Sequence, residues 1–190
     1  MTYQDEMILK KREALKKEKY KTLEDGIYMD GKILRFARWE IPDVLSIMVP
    51  DEMGEMPEEY ARVKYPSEFR PQMILTTPDL AVNMGFTVFP NQIRSDDMME
   101  LLRHMHAAIH RANPDYRMNP CRILPKIEGC YFDFRSHAMD NGIYNMMLLV
   151  LVGKKLIQGV FNCNDRDYAK WEKVVLMMWE TIREAGQEEE

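Results

Sequence analysis

The most chemistry-bearing stretch of the sequence is His104–Met105–His106–Ala107–Ala108–Ile109–His110. His106 and His110 stand four residues apart, so on a helix they share a face and could jointly hold a transition metal. His104 falls on the opposite flank. Two histidines are too few for a zinc site, which ordinarily takes at least three protein ligands. The metalloprotease pattern HExxH is absent, because Ala107 stands where the glutamate would be. The expected role of these side chains is therefore that of partly exposed flank histidines, with His106 and His110 as the only metal candidates. A cysteine–histidine nucleophile fares no better. Cys130 and His137 lie on one expected strand and are separated by roughly 23 Å. Cys163 has no histidine assigned to it by any spacing. No GxSxG, P-loop or GxGxxG pattern occurs. No catalytic residue and no cofactor are expected.

Two further clusters deserve a reading. Asp133 and Arg135 alternate with Phe132 and Phe134. They are expected on a solvated face, or in a polar patch with Arg122 or Lys126. The segment Tyr65–Pro66–Ser67–Glu68–Phe69–Arg70–Pro71 is stiffened by two prolines, which bias the preceding residues to extended conformations. A preordered loop loses less entropy on docking, which makes Tyr65, Pro66, Phe69 and Arg70 the candidates for contact with a partner. The competing reading is that both rings tuck under the loop into the core. Arg38–Trp39 offers stacking and charge, but no sustained basic-aromatic surface surrounds it.

The bulk properties set the frame for these residues. A chain of 190 residues with net charge −5 and 46% hydrophobic residues is of globular composition and single-domain length. An acidic balance argues against a dedicated nucleic-acid binder. Three cysteines without CxxC spacing argue against a disulfide framework. No apolar run reaches membrane-spanning length. No signal peptide is expected, since a lysine-rich run occupies the N-terminal region, and a cytoplasmic location follows as the expectation.

Residues 5–23 read as a charged helix with a thin stripe of Met7, Ile8, Leu15 and Leu23. From Leu9 to Lys21 it carries seven basic and two acidic residues. Asp30–Gly31 predicts a tight hairpin between 27–29 and 32–39. Pro42–Asp43 turns the chain into a strand at 44–49, ended by Pro50. Residues 51–59 read as an acidic loop or helical turn. Strands follow at 73–76 and 81–88. Ser95 is the expected cap of a helix over 96–112, whose apolar face is Met98, Leu101, Leu102, Met105, Ala108, Ile109 and Ala112. Strands at 122–128, 130–137, 144–152 and 155–162 are joined by short turns at Gly129, Asp140–Asn141–Gly142 and Gly153–Lys154, and so must be antiparallel. The stretch Met146–Val152 is apolar on both faces and is expected to be covered on both. Asp165 or Asp167 caps a final helix running to about Ala185, with a broad face of Tyr168, Trp171, Val174, Val175, Met178, Trp179 and Ile182. The expected fold class is α+β, an antiparallel sheet flanked by helices. The expected organisation is a charged N-terminal helix over 1–25, one domain over 26–185 and a disordered acidic tail over 186–190.

The chain resembles the Mog1/PsbP-like fold, and within it the bacterial DcrB-like small proteins. Leu34–Arg35–Phe36 followed by Leu45–Ser46–Ile47–Met48–Val49–Pro50 resembles that group's early hairpin and proline-ended strand. Gly159–Val160–Phe161–Asn162–Cys163, running into a helix with Trp171, Met178 and Ile182, resembles its G-x-F-x-C strand and tryptophan-bearing helix. The resemblance covers most of residues 26–184. It implies an α/β/α sandwich and a binding or accessory role, such as a Ran-GTPase partner, a photosystem II extrinsic subunit or an envelope protein. It implies no catalytic residue. The expectation is a non-enzymatic protein-binding or accessory module in a bacterial cytoplasm, with another protein as partner. The alternatives are a small-ligand or metal-dependent enzyme using His106, His110 or Cys163, and a homodimer formed through a strand edge or the N-terminal helix.

Overall fold

The computed structural model describes residues 3–90, 93–137 and 142–186. Helix α1 (Tyr3–Lys19) leads into β1 (Lys21–Thr22), β2 (Gly26–Met29) and β3 (Lys32–Leu34), a small antiparallel sheet in that order. Strands β4 (Phe36–Ile41) and β5 (Leu45–Pro50) form a separate ribbon. Then come β6 (Gly54–Glu55), α2 (Glu58–Lys64), β7 (Met73–Thr76), β8 (Asn83–Phe89) and α3 (Ser95–Ala112). The last third holds β9 (Arg117–Met118), β10 (Arg122–Leu124), β11 (Gly129–Ser136), β12 (Ile143–Val152), β13 (Lys155–Asn164), a 3₁₀ turn (Asp165–Asp167) and α4 (Tyr168–Trp179). The main sheet has the order β10-β11-β12-β13-β8-β7-β6, with β9 pairing β11 beside β10. Its pairings are antiparallel.

Alternation along the strands divides the core into two layers. Met146, Leu148 and Val150 of β12 point to the face covered by α4, where they pack with Val175, Met178 and Trp179. Leu149 points to the other face, with Phe132 and Cys130, under Met98 and Leu102 of α3. The expected double coverage of this strand is thus observed, and so is the α+β architecture with helices on both faces. The Asp30–Gly31 hairpin is also present, with φ of 49° and 81° at its two turn residues.

Several boundaries differ from expectation, each for a tertiary reason. The first helix stops at Lys19 because Lys21 and Thr22 pair with Ile27 and Gly26. Leu23 is then buried in the core instead of lining the helix, while Met7, Ile8 and Leu15 are exposed. The strand expected over 32–39 breaks at Arg35. Leu34 pairs with Ile27, whereas Phe36 pairs with Pro50 in the separate ribbon. Pro50 is accordingly a paired member of β5. Within 51–59 the structure has β6 and the start of α2, which runs on to Lys64. Glu58 and Glu59 at the start of α2 with Arg62 and Lys64 at its end suit the helix dipole. Ser95 is the first helical residue of α3, and no side chain caps that helix. Asn164 caps the 3₁₀ turn by accepting from the Arg166 N–H at 3.1 Å. Asp167 holds the position before α4, but its carboxylate binds Lys170 Nζ at 2.9 Å instead of capping. That helix ends at Trp179, short of Ala185, because the chain turns to bridge Arg183 with Ser46 of β5. Residues 140–141 of the expected turn and 187–190 of the expected tail lie outside the described residues.

The two-layer core sets one expectation for stability. Leu148→Ala and Leu149→Ala, on opposite faces of β12 and both 0% exposed, each cost about 2–5 kcal/mol. Leu15→Ala on the exposed helix stays within about 0.5 kcal/mol. Urea unfolding of the three variants measures both.

Candidate functional site

The candidate site is a cavity of about 370 Å³ on the α3 face of the sheet, walled by the loop that links α2 to β7. Its floor follows from strand register. One transverse row runs Phe134, Asn145, Asn162, Asn83 and Thr76 across β11, β12, β13, β8 and β7. The next row holds Met147, Val160 and Gly85, and beyond it Gln158 faces Thr87.

Thr76, Asn83 and Asn162 of the first row form a hydrogen-bonded chain. Thr76 Oγ1 donates to Asn83 Oδ1 at 2.8 Å, and Asn83 Nδ2 donates to Asn162 Oδ1 at 2.9 Å. Asn162 Nδ2 then donates to the Tyr65 hydroxyl at 2.7 Å. Burial of uncharged amides costs little when each finds a partner, and this chain ties the loop to three strands at once. Burial pushes the Tyr65 phenol up from its ordinary pKa, opposed by the Asn162 hydrogen bond. Lys64 Nζ donates to Asn83 Oδ1 at 3.3 Å and to the Leu80 carbonyl. Partial burial pulls its pKa down, against the pull of Asp79. A second anchor is steric. A Cβ on Gly85 would lie 2.6 Å from Pro71 Cγ, so only glycine admits the loop this close to the sheet.

All four sequence-predicted contact residues, Tyr65, Pro66, Phe69 and Arg70, line this cavity. The two rings part company. Tyr65 tucks in against Asn162, as the core reading expects, whereas Phe69 is 93% exposed. Asn145, Gln158, Val160, Asn162 and Thr87 were not singled out by sequence. Their signal is polar residues of equal parity, Gln158 and Asn162, within the otherwise apolar stretch 156–163 of β13.

The other candidates do not converge. His106 lies edge-on to Phe132, with ring centroids 5.0 Å apart, and its Nε2 is 3.1 Å from the Asn119 carbonyl. His104 and His110 are exposed. Cys163 packs in the opposite layer, among the α4 contacts, so it shares no pocket with His106 or His110. Among the described residues no group of three or more His, Cys, Asp or Glu is placed to hold a metal ion.

Asp133 corrects an expectation. It is 3% exposed, not solvated, and accepts from Asn119 Nδ2 at 2.6 Å. Its carboxylate faces the Tyr144 hydroxyl, which burial and this charge push well above its ordinary pKa. Arg135 covers the Tyr168 ring at 4.0 Å and pairs with Asp165 at 2.8 Å. Arg122 feels the Asp133 charge, though its largest influence is Tyr131. Asp133 is thus held by Asn119, Arg135 by Asp165 and Tyr168, and Lys126 pairs with Glu180 at 2.7 Å. Arg38 is held by Ser46 Oγ and the Thr181 carbonyl at 3.3 and 3.1 Å, and Trp39 is half-buried against the core, so neither is free to stack on a nucleobase.

No family model matches the sequence, and no curated protein matches it. Solved structures do match in fold. Cyanobacterial PsbP (CyanoP) from Synechocystis superimposes with a TM-score of 0.56 at 11% identity, over 84% of this chain and 98% of that one. LpqN of Mycobacterium tuberculosis, involved in cell envelope biogenesis, gives 0.53 at 10% identity, over 86% and 97%. The Ran-binding protein Mog1p of Saccharomyces cerevisiae gives 0.52 at 7% identity, over 78% and 95%. The chain has the Mog1/PsbP-like fold. The narrower DcrB-like resemblance draws no support from these three structures. At such identities the Mog1/PsbP-like likeness is one of architecture, and site chemistry must be argued from this chain's own residues.

Two outcomes are expected. Gly85→Ala forces Pro71 and the loop away from the sheet and destabilises by about 1–3 kcal/mol, read as a lowered melting temperature. Burial pushes the Cys130 and Cys163 thiols up to about 12, so neither is alkylated by iodoacetamide in the native protein at mildly alkaline pH, since the thiolate is the nucleophile. Both react after denaturation, as peptide mass spectrometry reads directly.

Proposed function

We propose that this protein is a non-enzymatic protein-binding or accessory module of a bacterial cytoplasm, docking through its Tyr65–Pro71 loop. The observation that carries the reading is Phe69, an aromatic side chain 93% exposed on a loop seated against the sheet. An exposed aromatic beside an arginine is the residue pairing in which interface energy concentrates, and a loop pinned by two prolines and the Asn162–Tyr65 hydrogen bond loses little freedom on docking. The description of Mog1p as Ran-binding supports a protein partner for this architecture. Three free thiols, Cys121, Cys130 and Cys163, support a reducing compartment. Against the alternative of an enzyme built on His106, His110 or Cys163 stand the placement of Cys163 in the α4 layer, away from α3, and the want of a third metal ligand beside His106 and His110 among the described residues.

The test compares capture from native cell extract by the wild-type chain, Phe69→Ala and Ile123→Ala, the last an exposed side chain on β10. Wild type and Ile123→Ala are expected to retain one stoichiometric protein. Phe69→Ala is expected to bind it at least about tenfold more weakly, the loss of an interface anchor, with an unchanged melting temperature. Equal retention by all three rejects the docking role of the loop.

A further inference from the structure

We infer that the cavity behind the Tyr65–Pro71 loop binds a small amphipathic carboxylate, a molecule with one anionic head and a compact apolar or aromatic body. The inference rests on the cavity and not on the partner reading; Phe69 and Arg70 serve both, but the two are tested with different ligands.

The size is right for a metabolite-scale ligand. Its volume of about 370 Å³ sits at the lower end of ligand sites, which run roughly 300–1,000 Å³. The charge selects the head group. Lys64 and Arg70 line the cavity and, among the described residues, no Asp or Glu does, in a chain whose net charge is −5. The carboxylate nearest Arg70 is Glu58, whose Oε1 is 2.6 Å from Arg62 and 3.6 Å from Arg70. Arg70 therefore keeps guanidinium donors for another acceptor.

Hydrogen-bond supply points the same way. The Tyr65 hydroxyl accepts from Asn162, and its own proton has no acceptor among the described residues. Ser67 Oγ likewise accepts from the Phe69 N–H and keeps a proton to give. Gln158 Nε2 meets only the Met147 sulfur, at 3.5 Å. The lining also offers the Asn145 and Gln158 amide oxygens as acceptors, but both of its charged groups are cations, and an ionised carboxylate is the acceptor-only group that matches them and the two hydroxyl protons. Its hydrogen bonds to guanidinium and hydroxyl are charge-assisted and correspondingly strong.

The apolar body is specified by the floor. Met147 and Val160 are register partners at its centre, with Phe134 and Pro71 beside them. An ammonium ligand would face two cations with no acid in the lining to pair it. A neutral amide would leave the guanidinium unmatched. The Thr76–Asn83–Asn162–Tyr65 chain holds the donors in place before any ligand arrives, so little ordering is required on binding.

The test is a titration of the ¹⁵N-labelled full chain, followed by the side-chain amide signals of Asn145, Gln158 and Asn162. The probes are 3-phenylpropionate, its amide and 3-phenylpropylamine. The acid is expected to shift these signals and saturate below about 1 mM. The amide is expected to bind at least about tenfold more weakly, since hydrogen bonds to charged groups carry that much, and the amine not at all. Arg70→Gln is expected to lower affinity for the acid about tenfold and leave the amide unchanged, in a protein whose remaining spectrum matches wild type. Tyr65→Phe is expected to weaken the acid by a smaller factor. Equal binding of acid and amide, unchanged acid affinity in Arg70→Gln, or no saturation by the acid overturns the inference. None of these outcomes bears on Phe69→Ala, so the two readings fail separately.

Discussion

Ten consecutive residue pairs, from Ile143 with Asn164 to Val152 with Lys155, lock β12 to β13 across a two-residue turn at Gly153–Lys154. The turn has φ of 59° at Gly153, which glycine adopts without steric cost. Side chains alternate with a period of two, so a slip of one residue would exchange the two faces of every strand in register with this pair. Met146, Leu148 and Val150 would leave the α4 layer, and Leu149 would leave the α3 layer. Both cores would be lost together, and with them the alignment of Asn145, Asn162 and Asn83. The hairpin register thus fixes the packing of two helices and the floor of the cavity at once.

The same constraint explains why a polar row can sit inside an otherwise apolar sheet. Helix α3 covers the part of its face that carries Cys130, Phe132, Leu149 and Leu156. Toward β7 and β8 the cover passes to the end of α2 and the loop after it, which bring a lysine and a phenol instead of an apolar helix face. Asn83 is 0% exposed there and is satisfied by Thr76 and Asn162. Replacing any one member would strand the buried groups of its neighbours, which is costlier than the hydrogen bond itself. The row is therefore a fastening for the loop as much as a surface of the cavity, and loop position and cavity shape are mechanically one property.

What could be read in the sequence was whatever a short window determines. The strands from Gly129 to Asn164 and the helix over 96–112 are long and strictly periodic, and the structure has them. The misplacements lie where distant segments decide. Ile182 continues the apolar period of the last helix and is indeed buried, yet the backbone leaves the helix at Trp179 to pair with Ser46, 137 residues away in sequence from Arg183. Arg35 breaks a strand because its two neighbours are claimed by different sheets. Asp133 alternates with phenylalanines as any solvated strand residue would. Its burial depends on Asn119 and Tyr144, which only the sheet order brings to it. The loop wall of the cavity was legible from its two prolines. The floor was not, because Asn162 meets Asn83 only through the pairing of β13 with β8, across α3 and four further strands.

The chemistry of the lining bears on what kind of site this is. General acid–base catalysis needs a group whose pKa lies near the working pH. The donors here are amides, hydroxyls, a guanidinium and a phenol that burial moves further from neutrality. Lys64 is the lining group whose pKa moves toward neutrality, and its ammonium is already held by the Leu80 carbonyl and Asn83. Such a set offers hydrogen bonds and positive charge at positions fixed by the strand register. The other candidates lie apart from it: the register sends Cys163 to the α4 layer, and His106 packs on Phe132 with its Nε2 3.1 Å from the Asn119 carbonyl. The pairing that builds the cavity is thus also what sets it apart from Cys163, one residue along the same strand.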